Sequence, residues 1–263
     1  MAAVPDQDSL LNGLAVLARE AGQVVMTVYA TDFAVRGKND ASPVTEADER
    51  AEAIIVAGLQ QLAPGIPIVA EEAVAAGRMP ELGDCFWLVD PLDGTKEFIS
   101  RNGEFTVNIA LIEHGTPLLG VVFAPALGSH GHLYAGARDT GAWLDDGSGR
   151  QAIACRAVPA EGLTVVASRS HGDAAALDAF LAGRRVASTT NAGSSLKLCL
   201  VARGAADLYP RLGRTMEWDI AAGHAVLAAA GGQVCDLQGM SLRYGKPGLD
   251  NPHFVASGLN PAS

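Results

Sequence analysis

Two aspartates stand three residues apart in the segment FWLVDPLDGTKEF, residues 86–98. Asp90 and Asp93 follow an apolar run that predicts a buried strand, so both carboxylates are expected at its carboxyl end. Pro91 lacks an amide proton, and we expect the sheet ladder to stop there. Like charges at this spacing disfavour each other's ionised form unless a cation lies between them. The segment therefore predicts a cation site.

The residues around these aspartates predict an anion site next to the cation. Gly94 and Thr95 are expected to begin a helix, whose first amides favour an anion. Leu92 can turn its backbone carbonyl oxygen toward the cation. Oxygen ligands without His or Cys favour magnesium, manganese or calcium over zinc. The alternative for an isolated DPLDG segment is a surface turn or a structural calcium loop.

Further acidic residues occur in three other segments. Glu71 and Glu72 end the predicted strand in VAEEA, Asp219 begins the Ala-rich helix of EWDIAAGHAVLAAAGG, and TEAD contains Thr45 and Asp48. Alone, Asp219 is an ordinary helix-start residue, and Thr45 with Asp48 fits the capped start of a helix. Together, the four separated segments predict a constellation of carboxylates.

Composition limits the classes of function. The chain has 263 residues, 49% of them hydrophobic, and its 19 basic and 29 acidic residues give a net charge of −10. This charge argues against binding to a nucleic acid polymer or an anionic membrane surface. The first residues are polar, and no apolar run has the length of a membrane span. A cytoplasmic globular protein with four reduced cysteines is expected.

The order of predicted elements suggests two domains. Two helices come first, followed by strands in IPIVAEEA, CFWLVD, TVNIALIEHG, LLGVVFAP and HLYAGA. The Gly- and Asp-rich stretch DDGSGRQ is the best candidate for a boundary, and strands alternate with helices after it. We predict an α+β domain over residues 1–150 that carries the metal-binding carboxylates. An α/β domain over residues 151–263 would carry the nucleotide-binding segments.

The ordered segments EE, WLVDPLDGT and EWDIAAG resemble the lithium-sensitive, magnesium-dependent phosphatase superfamily of inositol monophosphatases, fructose-1,6-bisphosphatases and bisphosphate nucleotidases. Five further segments are most similar to its 3'(2'),5'-bisphosphate nucleotidase (CysQ-type) branch: KNDASPVTEAD, DGTKEFISRNGEFTVNIAL, ASRSH, GSSLK and ADLYPRLG. Where inositol monophosphatases have Thr-Asn-Phe, this chain has Thr95-Lys96-Glu97-Phe98. The resemblance covers residues 9–257 and implies the layered αβαβα sugar-phosphatase fold.

The resemblance also implies roles for individual residues. Two or three Mg²⁺ ions would be held by Glu71, Asp90, the Leu92 carbonyl, Asp93 and Asp219. Asp48 and Thr95 would orient and deprotonate the attacking water. The substrate would contact Gly94, Thr95, His171, Ser194, Lys197 and Arg211.

Three functions stay open at this stage. The first, implied by the resemblance, is hydrolysis of 3'-phosphoadenosine 5'-phosphate to AMP and phosphate in sulfur assimilation, with the 5'-phosphosulfate as a second substrate. The second is an inositol or sugar phosphatase of the same fold. The third is a non-catalytic nucleotide- or metal-binding sensor, which would not need the water-activating groups Asp48 and Thr95. A small-molecule nucleotide is the expected partner, and the chain is expected to be a monomer or a homodimer.

Overall fold

The computed structural model describes residues 6–31, 43–169 and 174–259. The helices of these ranges are α1 Gln7–Tyr29, α2 Pro43–Leu62, α3 Glu71–Ala75, α4 Thr95–Ile99, α5 Ala174–Leu181, α6 Leu196–Ala202 and α7 Glu217–Ala229. The strands are β1 Ile68–Ala70, β2 Cys85–Asp93, β3 Thr106–Glu113, β4 Thr116–Ala124, β5 His132–Ala137, β6 Gly141–Asp145, β7 Arg150–Ile153, β8 Leu163–Ser168, β9 Val186–Ala192, β10 Leu208–Arg211, β11 Gln233–Asp236 and β12 Phe254–Ser257.

The first sheet has seven strands in the order β1-β2-β3-β4-β5-β6-β7. β1 runs parallel to β2, and every later neighbour is antiparallel. The strands from β3 to β7 therefore follow one another as hairpins. Residues of β3 alternate between the two faces of the sheet, and apolar side chains cover both faces.

The second sheet has five strands in the order β11-β12-β10-β8-β9. β8 runs parallel to both β9 and β10, while β12 is antiparallel to β10 and β11. The three parallel strands end at the same edge of the sheet, where Ser168, Ala192 and Arg211 are their last residues. Ligands of such sheets bind beyond the carboxyl ends of parallel strands.

Helices and sheets pack on one another in alternating layers. α1 and α2 cover one face of the first sheet, and α6 and α7 lie between its other face and the second sheet. α7 comes unusually close to the first sheet: a Cβ on Gly120 would stand 2.9 Å from backbone atoms of Ala222. The predicted mixed, layered fold is confirmed. No helix of the described residues combines the length and apolarity needed to cross a membrane.

Three local predictions need correction or remain open. DDGSGRQ is the hairpin between β6 and β7 rather than a linker, and neither of these strands was predicted. α2 begins at Pro43, so Thr45 and Asp48 lie inside the helix and do not cap its start. The division into domains at residue 150 stays a prediction. Apolar side chains from both sheets share one core with α7.

Candidate active site

A cavity of about 440 Å³ opens between the carboxyl end of β2, the start of α7 and the parallel-strand edge of the second sheet. Its walls include Glu71, Asp90, Leu92, Asp93, Gly94, Thr95, Ser168, Ser194, Ser195, Lys197, Tyr209, Arg211, Arg214, Thr215 and Asp219. The carboxyl groups of Glu71, Asp90, Asp93 and Asp219 are called the acidic wall below, and Ser194, Lys197 and Arg211 are called the basic wall. The two walls meet where the Ser195 N–H donates to Asp93 Oδ2.

An irregularity in β2 places the two aspartates of the acidic wall. Asp90 pairs with Asn108 and Asp93 with Thr106, and the register shifts between the two pairs. The expectation that the ladder stops at Pro91 is therefore wrong: pairing is interrupted by a bulge and resumes at Asp93. Such a bulge accommodates the missing proline amide and redirects neighbouring side chains. The backbone N–H of Leu92 donates to Asp90 Oδ1 at 3.0 Å.

Gly94 makes the sharp turn that follows. Its φ is +96°, a left-handed conformation that favours glycine, and an added Cβ would lie 3.3 Å from Glu104 O and Ser194 Cβ. α4 begins directly after it, so Thr95 faces the cavity. The predicted helix start is confirmed as a short helix of five residues.

The other two carboxylates of the acidic wall are positioned by helix starts. Glu71 is the first residue of α3, and Glu52 on α2 accepts a hydrogen bond from the backbone N–H of Glu72 at 2.8 Å. Asp219 lies in the first turn of α7 and accepts from the Met216 N–H at 2.8 Å. Asp219 is thus both a helix-start residue, as its position predicts, and a wall of the cavity.

Crowding of carboxyl groups changes their protonation. Burial raises the pKa of Glu71 to about 7 and that of Asp219 to about 8, and the charge of Asp93 adds to both shifts. Burial also raises the pKa of Asp90 well above its usual range, and the charges of Glu71 and Asp93 are the next largest causes of this shift. The pKa of Asp93 is raised by burial, although Lys197 and the Ser195 N–H oppose the shift. The acidic wall therefore has more negative charge than nearby donors can neutralise.

Asp48 lies behind this wall rather than on it. Its side chain is buried on α2 and is absent from the lining of the cavity. Burial raises the pKa of Asp48 to about 8, with further contributions from Glu72 and Glu71. The charge of Asp48 in turn raises the pKa of Asp90. Asp48 is electrostatically part of the acidic cluster.

The basic wall combines groups from the turn before α6 and from β10. Ser194 has a φ of +43°, and its Oγ is buried with no hydrogen-bond partner among the described residues. Arg211 at the end of β10 donates through Nη2 to Arg214 O at 2.9 Å, but its buried Nε has no partner within the same part of the chain. Because a buried unpaired polar group costs about 1–3 kcal/mol, these two atoms indicate a missing ligand or water.

Lys197 is held more tightly than an ordinary surface lysine. Its Nζ donates to Ser194 O at 2.6 Å and to Ala192 O at 3.4 Å, and it lies 5.4 Å from the centre of the Tyr209 ring. Burial lowers the pKa of Lys197 to about 8, while Asp93 opposes the shift. An anion in the cavity would favour the charged form of this lysine.

The structure brings together ten of the predicted site residues. The cavity is lined by Glu71, Asp90, Leu92, Asp93, Gly94, Thr95, Ser194, Lys197, Arg211 and Asp219. His171 lies outside the described residues. Sequence reasoning did not single out Ser195, whose N–H donates to Asp93 Oδ2 at 2.7 Å, or Tyr209 beneath Lys197. Both occur in segments that carry the resemblance, GSSLK and ADLYPRLG, but neither residue type signals a role alone.

The donor types of the acidic wall fit a hard divalent cation. Five carboxyl side chains line the cavity, namely Glu97 and the four of the acidic wall, whose pKa values are raised, and no His or Cys lines it. Across the described ranges, no three His, Cys, Asp or Glu side chains are grouped closely enough to hold a metal ion as they stand. Mutual repulsion favours such separation, and a cation would favour a closer arrangement.

Solved structures of other proteins have the same layered arrangement as this chain. CysQ from Bacteroides thetaiotaomicron, described as a bacterial member of the inositol monophosphatase family, superimposes with a TM-score of 0.79 at 37% identity, covering 95% of this chain and 98% of that chain. An inositol monophosphatase from Zymomonas mobilis gives a TM-score of 0.78 at 25% identity, covering 95% of this chain and 92% of its own. The fold is that of the inositol monophosphatases.

Sequence comparison gives the family directly. Residues 6–260 match the inositol monophosphatase family. The 3'(2'),5'-bisphosphate nucleotidase CysQ of Shigella flexneri is 48% identical over 251 residues, which cover 94% of this chain and 99% of that protein. The chain belongs to the inositol monophosphatase family, whose phosphatases are generally metal-dependent.

Proposed function

We propose that the chain is a 3'(2'),5'-bisphosphate nucleotidase that removes the 3'-phosphate of 3'-phosphoadenosine 5'-phosphate, giving AMP and phosphate. The 5'-phosphosulfate analogue is its proposed second substrate. One observation carries this proposal: Ser194 and Arg211 line the same cavity as the acidic wall, and the buried Ser194 Oγ and Arg211 Nε have no hydrogen-bond partner among the described residues. A substrate with a second phosphate can use both walls at once. The similarity to a protein named as a bisphosphate nucleotidase supports the same function.

The acidic wall is the proposed magnesium site. Glu71, Asp90, Asp93 and Asp219 would hold two or three Mg²⁺ ions with the Leu92 carbonyl, and Asp90 is buried among the other three carboxylates. Magnesium, when bound, neutralises phosphate oxygens and makes hydroxide available near neutral pH. The excess negative charge of this wall supports the assignment, because cations would relieve it.

Asp48 and Thr95 are the proposed water-activating residues. Thr95 is exposed to the cavity, where its hydroxyl can orient a water beside the 3'-phosphate. Asp48 stands behind the acidic wall, where burial and the charges of Glu72 and Glu71 raise its pKa to about 8. Cations bound at the acidic wall would oppose this shift and favour the carboxylate form, which is the form that can take a proton from the water. The water oxygen would then bond to phosphorus in line with the ribose oxygen, whose bond to phosphorus breaks. The proton that Asp48 takes from the water would pass to the ribose oxygen, so that AMP and inorganic phosphate are released.

The basic wall is the proposed site of the 5'-phosphate. Arg211 Nε and Ser194 Oγ would donate to its oxygens, and Lys197 would supply positive charge from below. An arginine can present a planar fork to phosphate, while lysine acts as a point charge. Energy gained at this remote phosphate can position the 3'-phosphate for attack. His171 stays a prediction for contact with the nucleotide.

The alternative functions receive less support. An inositol monophosphate has no second phosphate for the basic wall, and the similar protein from Shigella flexneri is named as a nucleotidase. A sensor without turnover would not need Asp48 and Thr95. A small-molecule nucleotide is the proposed partner. A monomeric or homodimeric state and a cytoplasmic location stay predictions.

Phosphate release from a substrate panel tests the proposed function. We expect wild-type protein with magnesium to prefer 3'-phosphoadenosine 5'-phosphate over 3'-AMP and inositol 1-phosphate. Arg211→Met and Lys197→Met should lower kcat/KM for the bisphosphate by about ten- to a hundredfold, since a hydrogen bond to a charged group contributes about 1.5–3 kcal/mol. Both variants should change hydrolysis of 3'-AMP little.

A surface arginine provides the matched control for this test. Arg138 pairs with Glu113 at 3.3 Å and is absent from the cavity lining, so Arg138→Met should leave both substrates unaffected. A wild-type preference for inositol 1-phosphate would replace the nucleotidase with the sugar-phosphatase alternative. Equal losses on every substrate in both variants would contradict the second-phosphate site.

A further inference from the structure

The turn that carries Ser194 is fixed on both sides by carboxylates. Residues 193–195, called the Ser194 turn, connect β9 to α6. On one side, the Gly193 N–H donates to Glu104 Oε2 at 2.8 Å; on the other, the Ser195 N–H donates to Asp93 Oδ2 at 2.7 Å. Ser194 between them adopts a positive φ that a serine rarely takes. External bonds must therefore hold this conformation.

Glu104 is itself held by an arginine outside the cavity lining. Arg169 follows the last residue of β8, and its Nε and Nη2 donate to the two carboxylate oxygens of Glu104 at 2.7 and 2.8 Å. The same Nη2 donates to Asn191 O at 3.0 Å. Arg169 thus joins the segment before β3, the end of β8 and the end of β9. Two-point pairing of this kind fixes orientation as well as distance.

Packing leaves the Ser194 turn no room to shift. A Cβ on Gly193 would stand 2.5 Å from Glu97 Cγ and 2.6 Å from Glu104 O. A Cβ on Gly94 would lie 3.3 Å from Ser194 Cβ. The turn is therefore seated directly on the backbone of residues 94 and 104. A movement of Glu104 would displace the Ser194 turn with it.

The charge of Glu104 matters as much as its position. Burial opposes its ionisation, but the hydrogen bonds from Arg169 and Gly193 lower the pKa of Glu104 on balance. Its side chain retains only 20% exposure. A carboxylate in this position needs Arg169, because otherwise its negative charge would act on an anion bound at the basic wall.

We propose that Glu104 and Arg169 form a positioning pair for the second phosphate of the substrate, acting through the Ser194 turn. This inference rests on the proposed function. Glu104 fixes Gly193, and thereby holds Ser194 in the lining of the cavity and Ser194 O where it accepts from Lys197 Nζ. Glu104 holds the Gly193 side of the turn, whereas Asp93 of the acidic wall holds the Ser195 side. The pair therefore acts first on Ser194 and Lys197, and so on the remote phosphate before the reacting one.

Inhibition by the two products tests this positioning role. AMP carries only the 5'-phosphate, whereas inorganic phosphate reports on the acidic wall. In Arg169→Ala we expect the inhibition constant of AMP to rise about tenfold, a size typical of coupling between residues in one hydrogen-bond network. The inhibition constant of inorganic phosphate should change less than twofold. The ratio of kcat/KM for 3'-phosphoadenosine 5'-phosphate to that for 3'-AMP should fall by about the same tenfold.

Conservative variants separate positioning from general stability. Arg169→Lys keeps the charge but loses the two-point geometry, so it should restore part of the AMP binding. Arg156→Ala is the matched control, because Arg156 forms an equivalent two-point pair with Asp207 at 2.8 and 3.0 Å near the start of β8. That variant should lower the melting temperature without changing the ratio of the two inhibition constants.

Each outcome of the experiment decides the inference. If wild type prefers the bisphosphate and Arg169→Ala keeps the wild-type inhibition ratio, the positioning role is wrong and the proposed function stands. If Arg169→Ala and Arg156→Ala change the ratio equally, the effect is one of stability and the positioning role is also wrong. If wild type shows no preference for the bisphosphate, both the proposed function and this inference fail.

Discussion

Two carboxyl groups in the first turn of α7 have opposite surroundings. Glu217 has no exposed surface, and it accepts from the N–H of Gly245 at 2.7 Å, from the N–H of Lys246 at 3.0 Å and from Lys246 Nζ at 2.6 Å. Asp219, two residues later, accepts from Met216 N–H and otherwise faces the charges of Asp93 and Glu71. Residues two apart on a helix point in different directions.

This difference separates a structural carboxylate from one available for binding. The charge of Glu217 is neutralised by donors from Gly245 and Lys246. These hydrogen bonds join the loop at residues 245–246 to the start of α7. Asp219 is compensated less: burial and the charge of Asp93 raise its pKa to about 8 and outweigh the Met216 N–H and the charge of Arg211, which lower it. Buried carboxylates with strongly shifted pKa values in a cavity are typical of functional sites. The same contrast applies between Glu217 and the whole acidic wall.

The largest expected effect concerns the acidic wall. Asp90→Asn removes one charge while hardly changing side-chain volume, and we expect kcat/KM to fall about a thousandfold or more, because a proposed magnesium ligand is lost. The metal-free variant should melt at the same temperature as metal-free wild type or higher, since a repulsive charge is gone. Phosphate release and thermal melts in chelator measure the two effects.

Circular dichroism provides the control for this variant by showing whether the fold persists. Should activity fall only in proportion to the unfolded fraction, Asp90 would be a structural residue like Glu217, and the contrast between the two groups would disappear.

A smaller effect is expected at the compensated carboxylate. Lys246→Met removes the cation from buried Glu217 and leaves it with two backbone donors. We expect the free energy of unfolding to fall by about 2–4 kcal/mol, because breaking a buried ion pair leaves an uncompensated charge. Urea titration of the metal-free protein measures this loss. The magnesium affinity measured by calorimetry should change little. A large loss of magnesium affinity with unchanged stability would instead make Glu217 a carboxylate that serves binding rather than structure.

The smallest effect is the pH dependence of the metal-free protein. Carboxyl groups whose pKa is raised on folding stabilise the folded state below the unfolded pKa near 4, and this stabilisation is lost as the pH rises through the folded pKa. Burial raises the pKa values of Glu71, Asp48 and Asp219 to about 7 to 8. Folding stability from these groups is therefore lost over the range from pH 4 to pH 9.

Metal-free protein should therefore lose stability steadily from pH 6 up to the folded pKa values of about 7 to 8 and level off by pH 9. Magnesium at a hundred times its dissociation constant should restore about 2.7 kcal/mol at pH 9. Melting curves in chelator and in magnesium measure both quantities, and activity should vanish in chelator and return with magnesium. A stability that rises toward pH 9 in chelator would contradict this prediction. It would show that donors and cations of the protein itself already neutralise the carboxylates of the acidic wall.

Local sequence patterns predicted the elements that carry the site. The apolar run before Asp90, the helical spacing of α1 and the Ala-rich start of α7 were each sufficient for a correct prediction, because these signals lie within a few residues. The carboxylates of the acidic wall were also predicted to meet. The separated acidic segments suggested such a constellation, but the role of each residue as a metal ligand depended on the resemblance, since no local pattern relates Glu71 to Asp219.

Other features arise only from tertiary packing. β6 and β7 are short and lie around a Gly-rich hairpin, so their sequence indicates a linker as readily as a turn. The continued ladder beyond Pro91 requires the partner strand β3 to be known. The pairing of Arg169 with Glu104 joins residues that are far apart in sequence, and each residue alone resembles an ordinary surface charge.

The position of α7 between the two sheets has a consequence for the order of assembly. Strands β3 to β7 pair with their neighbours in sequence, so this part of the first sheet can form while the chain is still emerging from the ribosome. The acidic wall cannot be complete at that stage, because Asp219 arrives with α7 near the end of synthesis. A nascent or prematurely terminated chain would thus contain most of a folded sheet but no complete cavity, and maturation of the site would coincide with the docking of its last long helix.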